Sequence, residues 1–202
     1  VVVWVVGDKT ENGSESGTSF KQALFAMECG FNLFDTMIYL KNSCPFPQKD
    51  KYNQIFEYMF VFSKGTPKTF NPLTRKNNYG SFTRKMTHRS KSGEMTNENV
   101  NLSKESNSGN VWLYESGYMK STKDKSSYEH PAIFPDKLAE DHILSWSNAG
   151  DTVYDPFTGS GTTLKMAVKN NRHFIGSEIS ADYCEIAKHR IESERCQLKL
   201  EF

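Results

Sequence analysis

The stretch VYDPFTGSGTTLKMAVKNN, Val153–Asn171, decides the fold. A short apolar lead, Thr152–Asp155, reads as a strand. Asp155-Pro156-Phe157 follows, and then the turn Gly159-Ser160-Gly161. Leu164, Ala167 and Val168 then recur at the spacing of one helix face. Strand, glycine turn and helix in that order begin a parallel α/β unit. Open α/β sheets take ligands at the carboxyl ends of their strands, which is where Asp155 falls. Gly159 and Gly161 have no Cβ, so a ligand could approach the backbone closely. Thr162 and Thr163 open the helix, whose first N–H groups lack an intrahelical acceptor and favour an anionic group.

Two common phosphate loops are excluded. No Gly-x-x-x-x-Gly-Lys-Ser/Thr run is present, and Lys165 stands at the wrong spacing for one. Gly-x-Gly-x-x-Gly is absent too, which argues against a nicotinamide or flavin nucleotide. His173–Ile179 reads as the next strand, with Glu178 at its end, seventeen residues after Gly161. A carboxylate there can accept hydrogen bonds from both hydroxyls of a ribose. A ligand with a ribose and a charged tail fits, and S-adenosylmethionine has both. Each feature alone is weak, because a Gly-x-Gly is often only a turn and an acid after a strand is often only solvated. The combination at this spacing is more specific.

Outward from this centre the pattern continues. Upstream, Leu138, Ala139, His142, Ile143 and Trp146 line one helix face; downstream, Tyr183, Ile186, Ala187 and Ile191 line another, with Ser180 as its N-cap. Helix, strand, helix, strand, helix in residues 129–202 implies a parallel sheet with packed helices. At the other end, Val1–Val6 reads as a buried strand. Phe20–Cys29 has helical spacing, with Phe20, Ala23, Leu24 and Met27 on one face and Gly30 as its stop. Leu33–Leu40 and Tyr58–Ser63 read as strands around the loop Cys44–Gln54.

The net charge of the 202 residues is +1, and this hides an asymmetry. Residues 64–125 hold twelve Lys or Arg and five Asp or Glu, a balance of +7, so the remainder carries −6. Tyr79, Phe82, Trp112, Tyr114 and Tyr118 are interleaved with these charges. Basic groups for phosphates and aromatics for bases suit a nucleic-acid surface. The same composition also suits a solvated, partly disordered loop. The four cysteines, Cys29, Cys44, Cys184 and Cys196, form no CxxC pair. They read as free thiols in a reducing cytosol, and no metal site is expected. No apolar run is long enough to cross a membrane, and VVVWVVGD, Val1–Asp8, lacks the basic region and cleavage site of a signal peptide.

At these residues the sequence resembles the amino-group DNA methyltransferases, which make N6-methyladenine or N4-methylcytosine. The likeness is carried by HPAIFPDKLAEDHILSWSNAGDTVYDPFTGSGTT, His130–Thr163, and FIGSEISADYCEIAKHRI, Phe174–Ile191. It extends to GFNLFDTMIYLKN, Gly30–Asn42, and FEYMFVFSKGTPKTFNP, Phe56–Pro72. The resemblance implies an α/β fold: a partial Rossmann-like S-adenosylmethionine-dependent methyltransferase sheet carrying a basic, irregular insert. It implies that Asp155, Pro156, Phe157, Gly159, Ser160, Gly161 and Thr162 form the cofactor loop. Glu178 becomes the ribose acid, and Phe134, with His130, Pro131 and Pro135, belongs to the segment packed beside the cofactor. Tyr154 and Ser177 depart slightly from the family pattern. In the members that place catalysis first, a target-recognition region precedes the cofactor loop, and the insert holds that place here. Three regions follow: residues 1–64 as the second half of the catalytic sheet, 65–128 as the target-recognition region, and 129–202 as the cofactor half. Arg75, Lys76, Arg84, Lys85 and Arg89 are the DNA-contact candidates. The implied partner is double-stranded DNA in the cytoplasm, with a restriction endonuclease as a further one and the oligomeric state open.

One part of the family pattern is missing. The catalytic tetrapeptide of that family is Asp, Asn or Ser, then Pro-Pro, then an aromatic, and Pro-Pro occurs nowhere in this sequence. No catalytic residue is therefore assigned. The tetrapeptide normally lies upstream of the strand that Val1–Val6 resembles, and the sequence has no initiating Met. Both lead to the expectation of a fragment whose sheet lacks a strand and a helix, leaving apolar surface uncovered. The reading from another class is a non-catalytic DNA- or cofactor-binding remnant.

Overall fold

The computed structural model describes residues 1–44, 49–78, 80–124, 127 and 134–200, with side chains to Leu198. In chain order the elements are β1 (Val2–Val6), β2 (Thr10–Glu11), β3 (Ser14–Glu15), α1 (Thr18–Glu28), β4 (Asn32–Lys41) and β5 (Phe56–Ser63). Then come β6 (Thr74–Lys76), β7 (Phe82–Arg89), β8 (Met95–Leu102), β9 (Glu105–Asn107) and β10 (Val111–Tyr114). The last are α2 (Asp136–Trp146), β11 (Thr152–Asp155), α3 (Thr162–Lys169), β12 (His173–Gly176) and α4 (Ala181–Leu200). The chain divides into two compact units, residues 1–71 with 110–202, and residues 72–109.

In the larger unit a four-stranded sheet runs β1-β5-β4-β10. β5 pairs antiparallel with β1 and β4, and β4 pairs parallel with β10. β5 is apolar from Met59 to Phe62 because both its faces are covered. Met59 and Val61 point to one face and join Met37, Tyr39, Tyr114 and Leu138 of α2 in a core. Phe60 and Phe62, one residue out of phase, point to the other face and join Ala23 of α1. The second sheet is the parallel pair β11-β12, with Thr152 opposite His173 and Asp155 opposite Gly176. Its Val153 and Phe174 pack on Ala139 and Ile143 of α2 and Met166 and Ala167 of α3. Its other face is open, with Tyr154 and Ile175 more than half exposed.

Several expectations change. Of the expected apolar face of α1 only Ala23 is buried; Phe20, Leu24 and Met27 are exposed, as is Phe25. The helix rests on the sheet through a narrow line, with Phe20 against the Tyr58 ring at 5.4 Å. Trp112 and Tyr114, expected among the nucleic-acid aromatics, belong to β10 and the core instead. Trp112 packs on the His142 ring at 4.7 Å, and the Tyr114 hydroxyl donates to Asp141 at 2.8 Å. Tyr79, of the same group, lies outside the described residues. The next strand ends at Gly176 rather than Ile179.

The smaller unit holds β6 to β9 and is ordered rather than irregular: β6 pairs with β9 and β7 with β8, both antiparallel. It spans residues 72–109 and is narrower than the 65–128 expected for the insert. The β7–β8 turn is built by Ser90, which accepts from Gly93 N through its carbonyl at 3.0 Å and from Glu94 N through its hydroxyl at 3.1 Å. Gly93 sits at φ +92°, the left-handed position that such loops reserve for glycine. Among the described residues no helix is long and apolar enough to cross a membrane, and no group of side chains could hold a metal ion.

Candidate functional site

The parallel pair β11-β12 places two strand ends side by side, and the candidate residues gather there. Asp155 closes β11 and turns the chain: its carboxylate accepts from Phe157 N at 2.9 Å, and its carbonyl accepts from Ser177 N at 3.0 Å. Thr158 N donates to Ser177 O at 3.0 Å, so the turn after β11 is stitched to the one after β12. Gly159 and Gly161 adopt positive φ, +51° and +84°. Gly161 is constrained twice, because a Cβ there would meet Ala187 Cβ at 2.7 Å and Ala187 Cα at 2.9 Å. The glycine therefore lets α4 approach the loop as much as it bends it.

Glu178 lies two residues past β12, on the turn into α4, rather than at a strand end. One carboxylate oxygen accepts from Gly159 N at 2.8 Å, and the other accepts from Ile179 N and Ser180 N, both at 2.9 Å. The acid is thus clasped between the glycine turn and the start of α4. Ser180 caps that helix as expected, with Tyr183 N donating to its hydroxyl at 3.4 Å. Phe157 is 72% exposed beside this turn, its ring 5.8 Å from that of Trp4. Pro156 is exposed, whereas Ser160 and Thr162 are buried.

Phe134 is placed differently. It is half-buried and packs against both the α2 core clusters, so packing accounts for it. Pro135 directly precedes α2 in an extended conformation, setting the helix entry. His130 and Pro131 lie outside the described residues. Arg75 and Lys76 fall on β6, and Arg84, Lys85 and Arg89 on β7, all exposed and all within the smaller unit.

The residues that sequence reasoning missed are those behind the loop. Arg190 of α4 is 2% exposed, yet every nitrogen of its guanidinium is used. Nη1 donates to Ser160 O at 2.6 Å, to the Ser160 hydroxyl at 3.0 Å and to Thr162 Oγ1 at 3.1 Å. Nε reaches Asp124 at 3.0 Å and Nη2 reaches Asp136 at 3.3 Å. Lys165 donates to the same two acids at 2.7 and 3.2 Å, with Glu194 at 3.9 Å. Burial pushes the Asp124 carboxyl up, but the hydrogen bonds and charges of Lys165 and Arg190 outweigh it and hold the group below the ordinary carboxylate range. A buried guanidinium needs this many partners to offset its lost hydration. Gly176 was missed as well: a Cβ there would run into Thr158 Oγ1 and meet Leu164 Cδ1 at 2.6 Å. The available signal was a charge at each of two positions, Lys165 and Arg190, directly beside helix-face apolar residues, Leu164 and Ile191.

The donor set has a definite chemistry. The loop combines two glycines at positive φ, one carboxylate suited to hydroxyls, and the opening N–H groups of α3, which suit an anionic group. These features fit an adenosyl ligand with a charged tail.

Comparison with known proteins agrees with that chemistry. A family model described as DNA methylase matches residues 1–189. The orphan methyltransferase M.BamHII of Bacillus amyloliquefaciens is 59% identical over 198 residues, which is 96% of this chain and 75% of that protein. Among solved structures, the PvuII DNA methyltransferase (cytosine-N4-specific) aligns with TM-score 0.64 and 20% identity, over 93% of this chain and 62% of that one. The M1.HpyAVI–SAM complex aligns with TM-score 0.59 and 23% identity, over 94% and 74%. At these identities the two structures speak for the fold.

Proposed function

The chain belongs to the N6/N4 DNA methylase family, an S-adenosylmethionine-dependent family, and from that premise we propose the role of each part. Residues 129–202 hold the cofactor, and residues 72–109 read the DNA target. The intact protein methylates the exocyclic amine of adenine or cytosine in double-stranded DNA. The observation that carries this reading is the clasp of Glu178 on Gly159 N at 2.8 Å, at the carboxyl end of the parallel pair.

Asp155, Gly159, Gly161 and Glu178 are the cofactor residues in this proposal. Glu178, held by its backbone donors, takes the ribose hydroxyls. The N–H groups opening α3 face the charged tail, and Pro156 and Phe157 form the exposed lip of the site. Ser160 and Thr162 serve from behind, through Arg190, rather than by touching the ligand. When bound, S-adenosylmethionine supplies a methyl group made electrophilic by its sulfonium.

The acceptor side needs a different group. An exocyclic amine is a poor nucleophile, because its lone pair is delocalised into the ring. A hydrogen-bond acceptor aimed at the amine draws that pair out of conjugation, and an aromatic ring can stack on the extruded base. No Pro-Pro occurs among the 202 residues, and none of them is assigned that function. The contribution of the present residues is positioning and electrostatics. A cytoplasmic setting and a partnering restriction endonuclease fit the same role.

Calorimetric titration tests the assignment. In the intact protein, Asp155→Ala weakens S-adenosylmethionine binding by at least about tenfold, or roughly 1.4 kcal/mol. An unchanged affinity would remove Asp155 from the site.

A further inference from the structure

The β7–β8 ribbon has two unlike faces. Opposite residues on antiparallel strands share a face, and successive residues alternate. The register places Thr83 with Asn101, Lys85 with Asn99, Thr87 with Asn97 and Arg89 with Met95 on one face. Phe82 with Leu102, Arg84 with Val100, Met86 with Glu98 and His88 with Thr96 occupy the other. The ion pair of His88 and Glu98, at 3.8 Å, lies on this second face. Val100 and Leu102 are partly buried there, whereas all eight residues of the first face are exposed.

The first face carries two cations, three asparagines and two threonines, with one methionine at the turn end and no acid. It is also ordered. Thr83 donates to Asn101 Oδ1 at 2.7 Å and Thr87 to Asn97 Oδ1 at 2.8 Å, both across the strands. Each threonine thereby turns its asparagine so that the amide N–H groups remain available to an outside acceptor. A ladder of that kind makes no core, because nothing in it gains from burial.

We propose that this face, through Lys85, Arg89, Asn97, Asn99 and Asn101, is the surface that enters the major groove of the DNA target. The inference rests on the reading of the chain as a DNA methylase and adds the face and side chains that do the recognising. A two-stranded ribbon fits the groove, which is about 12 Å wide. Same-face residues on a strand repeat every ~6.8 Å, close to two base-pair steps. Asparagine pairs with adenine edges and arginine with guanine, while lysine neutralises phosphate or contacts guanine. Of the five basic candidates, Lys85 and Arg89 stand on this face and Arg84 on the other.

The test uses the intact protein expressed in a methylation-free host, with methylated sites read from the host genome and duplex binding followed by fluorescence anisotropy. Asn99→Ala broadens the methylated sequence. Lys85→Ala and Arg89→Ala each weaken duplex binding about tenfold near 0.15 M salt, and the salt slope falls by about 0.9 for each phosphate that the variant no longer neutralises. His88→Gln and Thr96→Ala, on the opposite face, leave the sequence and the affinity as in wild type. An unchanged sequence in Asn99→Ala together with unchanged binding in both cation variants would overturn the proposal. So would losses confined to the His88 and Thr96 variants. Wild-type methyl transfer is measured alongside. If wild type methylates while all first-face variants match it, the ribbon alone fails. If wild type methylates no DNA, the underlying reading fails, and anisotropy still reports which face binds duplex.

Discussion

Gly161 does two jobs at one position, and its replacement separates them from ordinary surface change. Its φ of +84° disfavours any side chain, and an added Cβ would fall 2.7 Å from Ala187 Cβ. Gly161→Ala is expected to destabilise the intact protein by about 2 kcal/mol in urea unfolding and to weaken the cofactor with it. Arg190 is a second such residue, because it joins the loop to two acids that come from far earlier in the chain. Arg190→Met leaves Asp124 and Asp136 short of their partner, and a loss of about 3 kcal/mol is expected by urea unfolding. Arg190→Lys keeps the charge without the planar fork and should fall between the two. A midpoint unchanged in Arg190→Met would mean that Lys165 alone satisfies both acids. Residues of this sort are hard to read in a sequence. A glycine that admits a ligand and a glycine that admits a helix look alike, and the acid partners of Arg190 lie 54 and 66 residues away.

Helix α2 was legible as an element because its apolar spacing matched its environment: Leu138, Ala139, His142 and Ile143 are all buried. The spacing of α1 was equally regular and misled, since burial depends on what lies opposite, and of that face only Ala23 is buried. β10 was hidden for another reason. Val111–Tyr114 is four residues long and pairs parallel with β4 across more than seventy residues, so no local signal marks it. The β7–β8 ribbon lacks the Val and Ile runs that announce strands, so its pairing had no local signal. Within α2, His142 carries a pH consequence. Burial pushes it down from 6.5 to about 4, its Nε2 lies 3.2 Å from Met59 Sδ, and its Nδ1 is buried without a hydrogen-bond partner among the described residues. The unfolded chain therefore binds more protons between those values, and stability falls as pH drops through that window. This group should make the protein about 2 kcal/mol less stable at pH 5 than at pH 7. In His142→Gln that part of the dependence should vanish, as urea midpoints at the two pH values would report. An identical pH dependence in the variant would place the titration elsewhere.

At the scale of the molecule, the chain divides into two compact units, residues 1–71 with 110–202 and residues 72–109. Both ends of the excursion are fixed in the larger unit. Asn71 N donates to Ser145 O at 2.8 Å, and Asn110 accepts from Ile38 N at 2.8 Å while its amide donates to Thr36 O at 3.0 Å. Replacing Pro72–Gly109 with a flexible Gly/Ser linker should therefore leave the larger unit folded and its cofactor affinity within about twofold, as calorimetry would measure. Sequence-specific DNA binding should be lost. A collapse of cofactor binding would show instead that the units depend on each other. The charge asymmetry read from the sequence already set the insert apart, but composition could not tell an ordered ribbon from a solvated loop, because both expose the same residues. The most direct measurement is methyl transfer itself. The intact protein is incubated with duplex DNA and methyl-labelled S-adenosylmethionine, and the digested nucleosides are separated. Label in N6-methyladenine or N4-methylcytosine is the predicted result. Label on the cytosine ring carbon, or none in DNA, would contradict it.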